Sequence, residues 1–445
     1  MAREARETGR FLARALRPFT RVTPEEVPVV LTMTLVAFVL MSGYYLLKTA
    51  REPLILIEWG AEAKLYAEAA QAVMLLGVVR AYEAIARRVG RMRLIALVYL
   101  FFVSNMVAFA FLAKTGAHVG LAFFLWVGIF SYTSIAQFWA FAADIYTEEQ
   151  GKRLFALVGV GSSVGSVAGS ACARLLVPLG PHSLMLGAAV LVTACVLVLA
   201  WVDRRAGTRV GRDVRPADEP VAAEATLDLL LRDRYLILIG ALTLSLNCVS
   251  GLGDYILDRT LLAHVAAAHS VGADAKAFVG SFKATFFAWY NALGVLLQLF
   301  AVSRILARVG VRGALLVLPL VAFAGYGAYV LMPALAVIRA VVIANRALDY
   351  SLTNTSRHAL FLVATRAEKY VGKTLVDTVG ARSGDLVSAA VVWVGLRAGL
   401  TAPGVALVCV VIACAWVVVV LGIGRENARR AEPQGLIATL STPSR

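Results

Sequence analysis

The sequence predicts an all-α integral membrane protein with twelve transmembrane helices in two pseudo-symmetric six-helix halves. Three observations lead there. Of 445 residues, 60% are hydrophobic and only 16% charged, with a mean hydropathy of +0.77, far more apolar surface than a soluble chain needs. Apolar runs of about 20 residues, the length that crosses a bilayer core, recur throughout, without the strand-like alternation and regular turns that mark a membrane barrel. Finally, short segments of the first half recur in the second.

In chain order, residues 1–26 hold six Arg and four Glu with no long apolar core or small-residue cleavage site. They read as a cytoplasmic amphipathic segment on the inner leaflet, not as a signal peptide. Spans are expected at 27–50, 65–86, 92–113, 118–146, 153–177 and 183–202, giving an N-terminal half over 27–203. The polar stretch 204–230 is the expected cytoplasmic linker. Spans at 234–262, 277–303, 312–332, 334–363, 373–399 and 403–424 make the C-terminal half, 231–424, and 425–445 is a cytoplasmic tail.

The net charge of +15 is a topology signal. Arg87, Arg88, Arg91 and Arg93 follow the second span; Arg204, Arg205, Arg209, Arg212 and Arg215 follow the sixth; Arg304, Arg308 and Arg312 follow the eighth. The alternate loops hold little more than Lys114 and Arg397. Such bias puts both termini in the cytoplasm of a multi-pass protein of the cell inner membrane. It leaves no role for nucleic acid. The five cysteines (Cys172, Cys195, Cys248, Cys409, Cys414) lie in apolar spans without metal or redox spacing, so no metal and no cofactor is expected.

The repeats are RVG at 88–90 and 308–310, and GKRLFALVG (151–159) against GKTLVDTVG (372–380), both offset by about 220 residues. Two parallel six-helix units joined by a long cytoplasmic linker describe the major-facilitator architecture, whose halves rock about a midplane site. A second overlay sets SGYYLLKTAREPL (42–54) on SGLGDYILDRTLL (250–262), so that Arg51 coincides with Arg259. Lys48 and Arg51 then either serve a paired function or snorkel to the outer interface.

Ionisable groups inside a membrane span usually mark a cavity, a partner or a pathway. Arg346, Tyr350, Asn354 and Arg357 recur at helical spacing and form one polar stripe. It faces a water-filled cavity or a salt-bridge seam. Lys373, Asp377, Arg382 and Asp385 follow in the eleventh span, Asp254 and Asp258 in the seventh, Lys283 in the eighth. With Lys48, Arg51 and Arg259, the cations slightly outnumber the anions, which favours a small-molecule anionic substrate. Asp144, Glu149, Lys152 and Arg153, at the cytoplasmic end of the fourth span and the start of the fifth, read as a gate or a solvated loop. Gly161, Gly165 and Gly169 form a small-residue face for close helix approach. VGKT (371–374) lacks the glycine and preceding strand of a phosphate loop, and no nucleophile–base or metal spacing suggests an enzyme.

Several of these stretches together resemble the ATP/ADP translocases, nucleotide transporters of plastids and obligate intracellular bacteria. They are YYLLKTAREPLIL (44–56), FWAFAADIYTEEQGKRLFALVGVGSS (138–163), the region 282–321, DYSLTNTSRHALFLV (349–363) and GKTLVDTVGARSGD (372–385). The resemblance implies nucleotide exchange by alternating access, without hydrolysis. It places the family's functional lysine of the first span on Arg51 and a nearby arginine on Lys48. The acid of the seventh span falls on Asp254, and the lysine before the eleventh on Lys369 or Lys373. The chain departs from the family at Gln150, where an acid is usual, at Asp258, where a lysine is, and at Asn354–Arg357, where the family has Asp-Pro-Thr-Lys. The implied cargo is therefore a nucleotide or a related phosphorylated or carboxylated anion, carried by a monomer in the lipid bilayer. Competing readings are a proton-coupled carrier of an unrelated solute, using Asp254, Asp377 or Asp385, and a non-transporting membrane scaffold.

Overall fold

The computed structural model describes residues 22–86, 88–206, 233–269, 271–361 and 376–440. In them the chain is almost entirely helical. Helix α1 covers Val27–Ala86, α2 Arg91–Lys114, α3 Gly120–Ile145, α4 Glu148–Leu176 and α5 Pro181–Ala206. Helix α6 covers Arg234–Ala267, α7 Gly272–Phe300, α8 Val302–Leu331 and α9 Leu335–Leu348. Helices α10 (Asn354–Leu360), α11 (Ala381–Arg397) and α12 (Ala402–Leu440) complete the set. Two π-helical turns, Asp349–Thr353 and Val376–Gly380, precede α10 and α11.

Among the described residues each expected span falls on helix, and the all-α membrane fold class holds. Eight of the described helices are long and apolar enough to cross a membrane. The first of these, α1, contains two expected spans. Gly60, at φ 85° and ψ 175°, breaks it into two helices, a conformation that a residue with a Cβ rarely adopts. The stretches at 277–303, 334–363 and 373–399 are more polar or carry π turns, so they fall short of that length or that hydropathy.

The boundaries differ in two informative ways. The first span does not stop at residue 50; its helix runs on to Gly60, so Lys48, Arg51 and Glu52 sit inside it. Charged side chains there need not end a helix if packing gives them partners. In the tenth span, the π turns Asp349–Thr353 interrupt the α geometry assumed for the polar stripe; π turns occur mostly as single-turn bulges and often at functional sites.

The molecule divides into two compact units, one drawn from 1–215 and 269–292, the other from 216–268 and 293–445. In the first, α1 packs on α3, α4 and α5, and α2 packs on α5. The small-residue face of α4 meets α1 as its spacing predicts. Ser42 Oγ donates to the carbonyl of Gly165 at 3.1 Å. Between α2 and α3, Phe102, Phe109, Phe123, Trp126 and Phe130 stack and tilt on one another, giving an aromatic core of the preferred offset geometry. In the second unit, α6 packs on α9, α11 and α12, and α8 packs on α9 and α12. Tyr235 closes one end by donating to the carbonyl of Leu360 at 2.8 Å.

Helix α4 begins in a capping box: Thr147 and Gln150 exchange backbone–side-chain bonds. Gln150 also donates to Glu26 at 3.1 Å, and Arg153 pairs with Glu26 at 2.9 Å. Burial pushes the Glu26 carboxyl up, but bonds from the Thr23 backbone, Arg153 and Gln150 outweigh it and hold the group below its usual value. Its contribution is therefore complete above the ordinary glutamate pKa of about 4.3 and fades as pH falls through the lowered folded value. Glu26→Ala is expected to cost about 1 kcal/mol at neutral pH and less at acid pH, measured by thermal unfolding in detergent. An equal loss at both would contradict the clasp.

Candidate substrate-binding site

The first unit concentrates charge at one place in α1. Glu52 is 1% exposed. Its Oε2 lies 2.7 Å from Lys64 Nζ and 3.3 Å from Lys283 Nζ, while its Oε1 lies 3.4 Å from Arg51 Nε. Lys64 comes from beyond the Gly60 break and Lys283 from α7, so the backbone turn at Gly60 brings two parts of α1 together. Glu68, further along α1, adds a second anion acting on Arg51. The Arg51 guanidinium also lies over the Phe124 ring of α3, 4.2 Å from its centroid.

Lys48, one turn before Glu52, points into an aromatic enclosure. Its Nζ donates to Tyr290 Oη at 3.0 Å and lies 4.7 Å from the Phe287 centroid. The Tyr45, Tyr290 and Tyr44 rings lie at 5.3, 5.6 and 6.0 Å. These are favourable cation–π distances. Tyr45 donates to Asn291 Oδ1 at 3.0 Å and fixes one wall. A turn beyond the hub, Glu58 takes Lys276 of α7 at 2.8 Å and the N–H of Gly120 at 2.8 Å. Lys48 and Arg51 are each held by neighbouring side chains.

The second unit uses pairs. Arg346 of α9 meets Asp254 of α6 in a charge-assisted hydrogen bond. Arg382 and Asp385 pair along α11 at 3.3 Å. Arg259 donates to the hydroxyl of Tyr255. Thus Arg51 and Arg259, matched by the internal overlay, each lie against an aromatic ring with different polar partners. Tyr350 and Asn354 are exposed and Arg357 half-buried on the stripe after α9. Asp258 is buried at 1% exposure.

The other expected positions scatter. Asp377 lies in the π turns Val376–Gly380, and Lys373 and Lys369 fall outside the described residues. Of the candidate gate, Asp144 and Glu149 are exposed, Lys152 lies early in α4, and Arg153 is clasped to Glu26. The residues missed from the sequence are Lys64 and the hub carboxylate Glu52. Glu52 was visible as the anion beside Arg51, but nothing in the spacing of Lys64 joins it to position 52.

No family model and no curated relative matches the sequence. Solved structures do match in fold. A point mutant of the nucleoside transporter NupG superposes with a TM-score of 0.64 at 12% identity, over 88% of this chain and 99% of its own. A POT-family transporter in complex with 5-aminolevulinic acid gives 0.61 at 12%, over 91% and 96%. A bacterial homologue of the human lysosomal transporter Spinster, inward-facing and unoccupied, gives 0.55 at 14%, over 92% and 98%. At these identities the likeness establishes the fold, and this multi-pass membrane protein has the major-facilitator fold.

Proposed function

We propose that this chain is a secondary transporter that exchanges nucleotides, or a related phosphorylated or organic anion, across the inner membrane by alternating access. The carrying observation is the hub in which Arg51, Lys64 and Lys283 converge on Glu52. Buried cations gathered this densely are costly unless an anion compensates them. Guanidinium and ammonium groups together suit phosphate and carboxylate. Transporters of small molecules among the fold neighbours support a small-molecule cargo, and the resemblance to the ATP/ADP translocases supports a nucleotide-like one. With the Arg-rich loops inside, both termini face the cytoplasm in this reading.

The test is reconstitution into liposomes loaded with unlabelled ATP, ADP or a simple phosphate ester, followed by uptake of the labelled compound. Counter-exchange above protein-free vesicles is expected for at least one of these anions. If none moves, the anion-carrier reading is wrong.

A further inference from the structure

We infer that the second unit holds a buried water site at the junction of α6, α8, α9 and α12, where one water molecule joins the Trp416 indole to Ser250, Tyr326 and Asn345. The inference goes beyond the anion-carrier reading and stands or falls whatever the cargo is.

Trp416 is 1% exposed, and its indole Nε1 has no hydrogen-bond partner among the described residues. A buried donor left unpaired is costly, and a buried tryptophan usually finds a partner for its N–H. The same residue lines a cavity with Leu246 and Ser250 of α6, Leu318 and Tyr326 of α8 and Asn345 of α9. The space open to a water-sized sphere there is about 10 Å³, close to what a single water needs and too small for a second. A donor without a partner and room for one water therefore coincide.

The polar groups around this space are complementary to water. Trp416 can only donate. The Tyr326 hydroxyl gives its proton to the Val249 carbonyl at 3.4 Å, which leaves its oxygen to accept. A Cβ at Gly253 would collide with that hydroxyl, so this glycine is what admits it to α6. Asn345 donates through Nδ2 to the Val341 carbonyl at 3.0 Å, which leaves Oδ1 to accept, and the Ser250 hydroxyl can do either. A water that takes the Trp416 proton thus has acceptors for both of its own, about three bonds in all and the usual number for a buried water. Leu246 and Leu318 offer nothing polar and confine it. Asp254 lies one turn beyond Ser250, and Arg346 follows Asn345 directly. The water therefore ties α12 to the same turns of α6 and α9 that carry the Asp254–Arg346 pair.

The experiment uses the full chain in liposomes, with heavy nitrogen at its tryptophans. Solid-state NMR follows the transfer of magnetisation from water to each indole N–H proton. The Trp416 signal is the one lost in Trp416→Phe, and Trp416→Tyr supplies the same assignment should the first variant fold poorly. Trp126 is the internal comparison: its Nε1 is also buried without a partner, but it packs among the rings of Phe102, Phe109, Phe123 and Phe130. Transfer to Trp416 is expected to be several times faster than to Trp126, despite the burial of both N–H groups. Ser250→Val and Leu246→Phe, which fill the space from opposite chemistries, should each slow transfer to the level of Trp126. If wild-type Trp416 receives magnetisation no faster than Trp126, the site is dry and the inference is overturned. It is equally overturned if a folded filling variant leaves the transfer fast, since the water would then lie elsewhere.

Discussion

Arg346→Ala is expected to reduce anion exchange by roughly 100-fold, corresponding to about 3 kcal/mol of lost charge-assisted bonding. Arg346 and Asp254 face each other across α9 and α6 with side chains 21% and 19% exposed, so removing the guanidinium takes a charge-assisted bond from a carboxylate that water reaches poorly. Stability should fall too, by about 2 kcal/mol in thermal unfolding. The double replacement Arg346→Leu with Asp254→Leu separates the two effects. It removes both charges and should restore much of the stability, while transport remains low if the cation contacts cargo. Arg346→Lys should be intermediate, because an ammonium lacks the planar fork that grips a carboxylate or phosphate. Wild-type exchange in Arg346→Ala would take this arginine out of the site.

Gly165→Leu is expected to be among the most damaging substitutions for folding. A Cβ at Gly165 would stand 2.3 Å from the carbonyl oxygen of Phe38, at Gly161 2.3 Å from that of Thr34, and at Gly169 2.6 Å from the Cα of Ser42. The obstacles are backbone atoms of α1, which no side-chain rotation can relieve; the helices would have to part. Overpacking ordinarily costs about 1–3 kcal/mol, and a separation of helices that depend on close approach should reach the upper end, about 3 kcal/mol. Gly159 on the same helix has nothing within 4 Å of its would-be Cβ, so Gly159→Leu is the tolerated control. Thermal unfolding and recovery of the folded peak in detergent report the difference. Equal stability of the two variants would contradict the packing.

Much of the scaffold was legible because a bilayer allows few solutions. A backbone in hydrocarbon must satisfy its own hydrogen bonds, so apolar runs of spanning length become helices. The glycine face of α4 was legible for the related reason that residues four apart share a face. The GKRLFALVG repeat and the RVG repeat point to duplication from identity alone. What escaped was local backbone choice. Gly60 extends the reach of α1 far enough for Lys64 to return to Glu52, and no periodicity announces a glycine at positive φ as a hinge rather than a packing residue. The π turns at Asp349–Thr353 likewise alter the register of the polar stripe without changing its composition.

The site was legible as a list of charged residues but not as a set of partners. Lys48, Arg51, Lys283, Asp254 and Arg346 stand out because ionisable groups are rare in membrane spans. Which anion each meets depends on helices distant in sequence: Glu52 with Lys283, Asp254 with Arg346. By itself the sequence determined the helical class and the kind of charge its apolar stretches carry, since these follow from local hydropathy and composition. Only the tertiary structure decided that Glu52 gathers three cations and that Lys48 lies among aromatic rings, because electrostatic compensation in a low-dielectric interior depends on distances of a few ångströms.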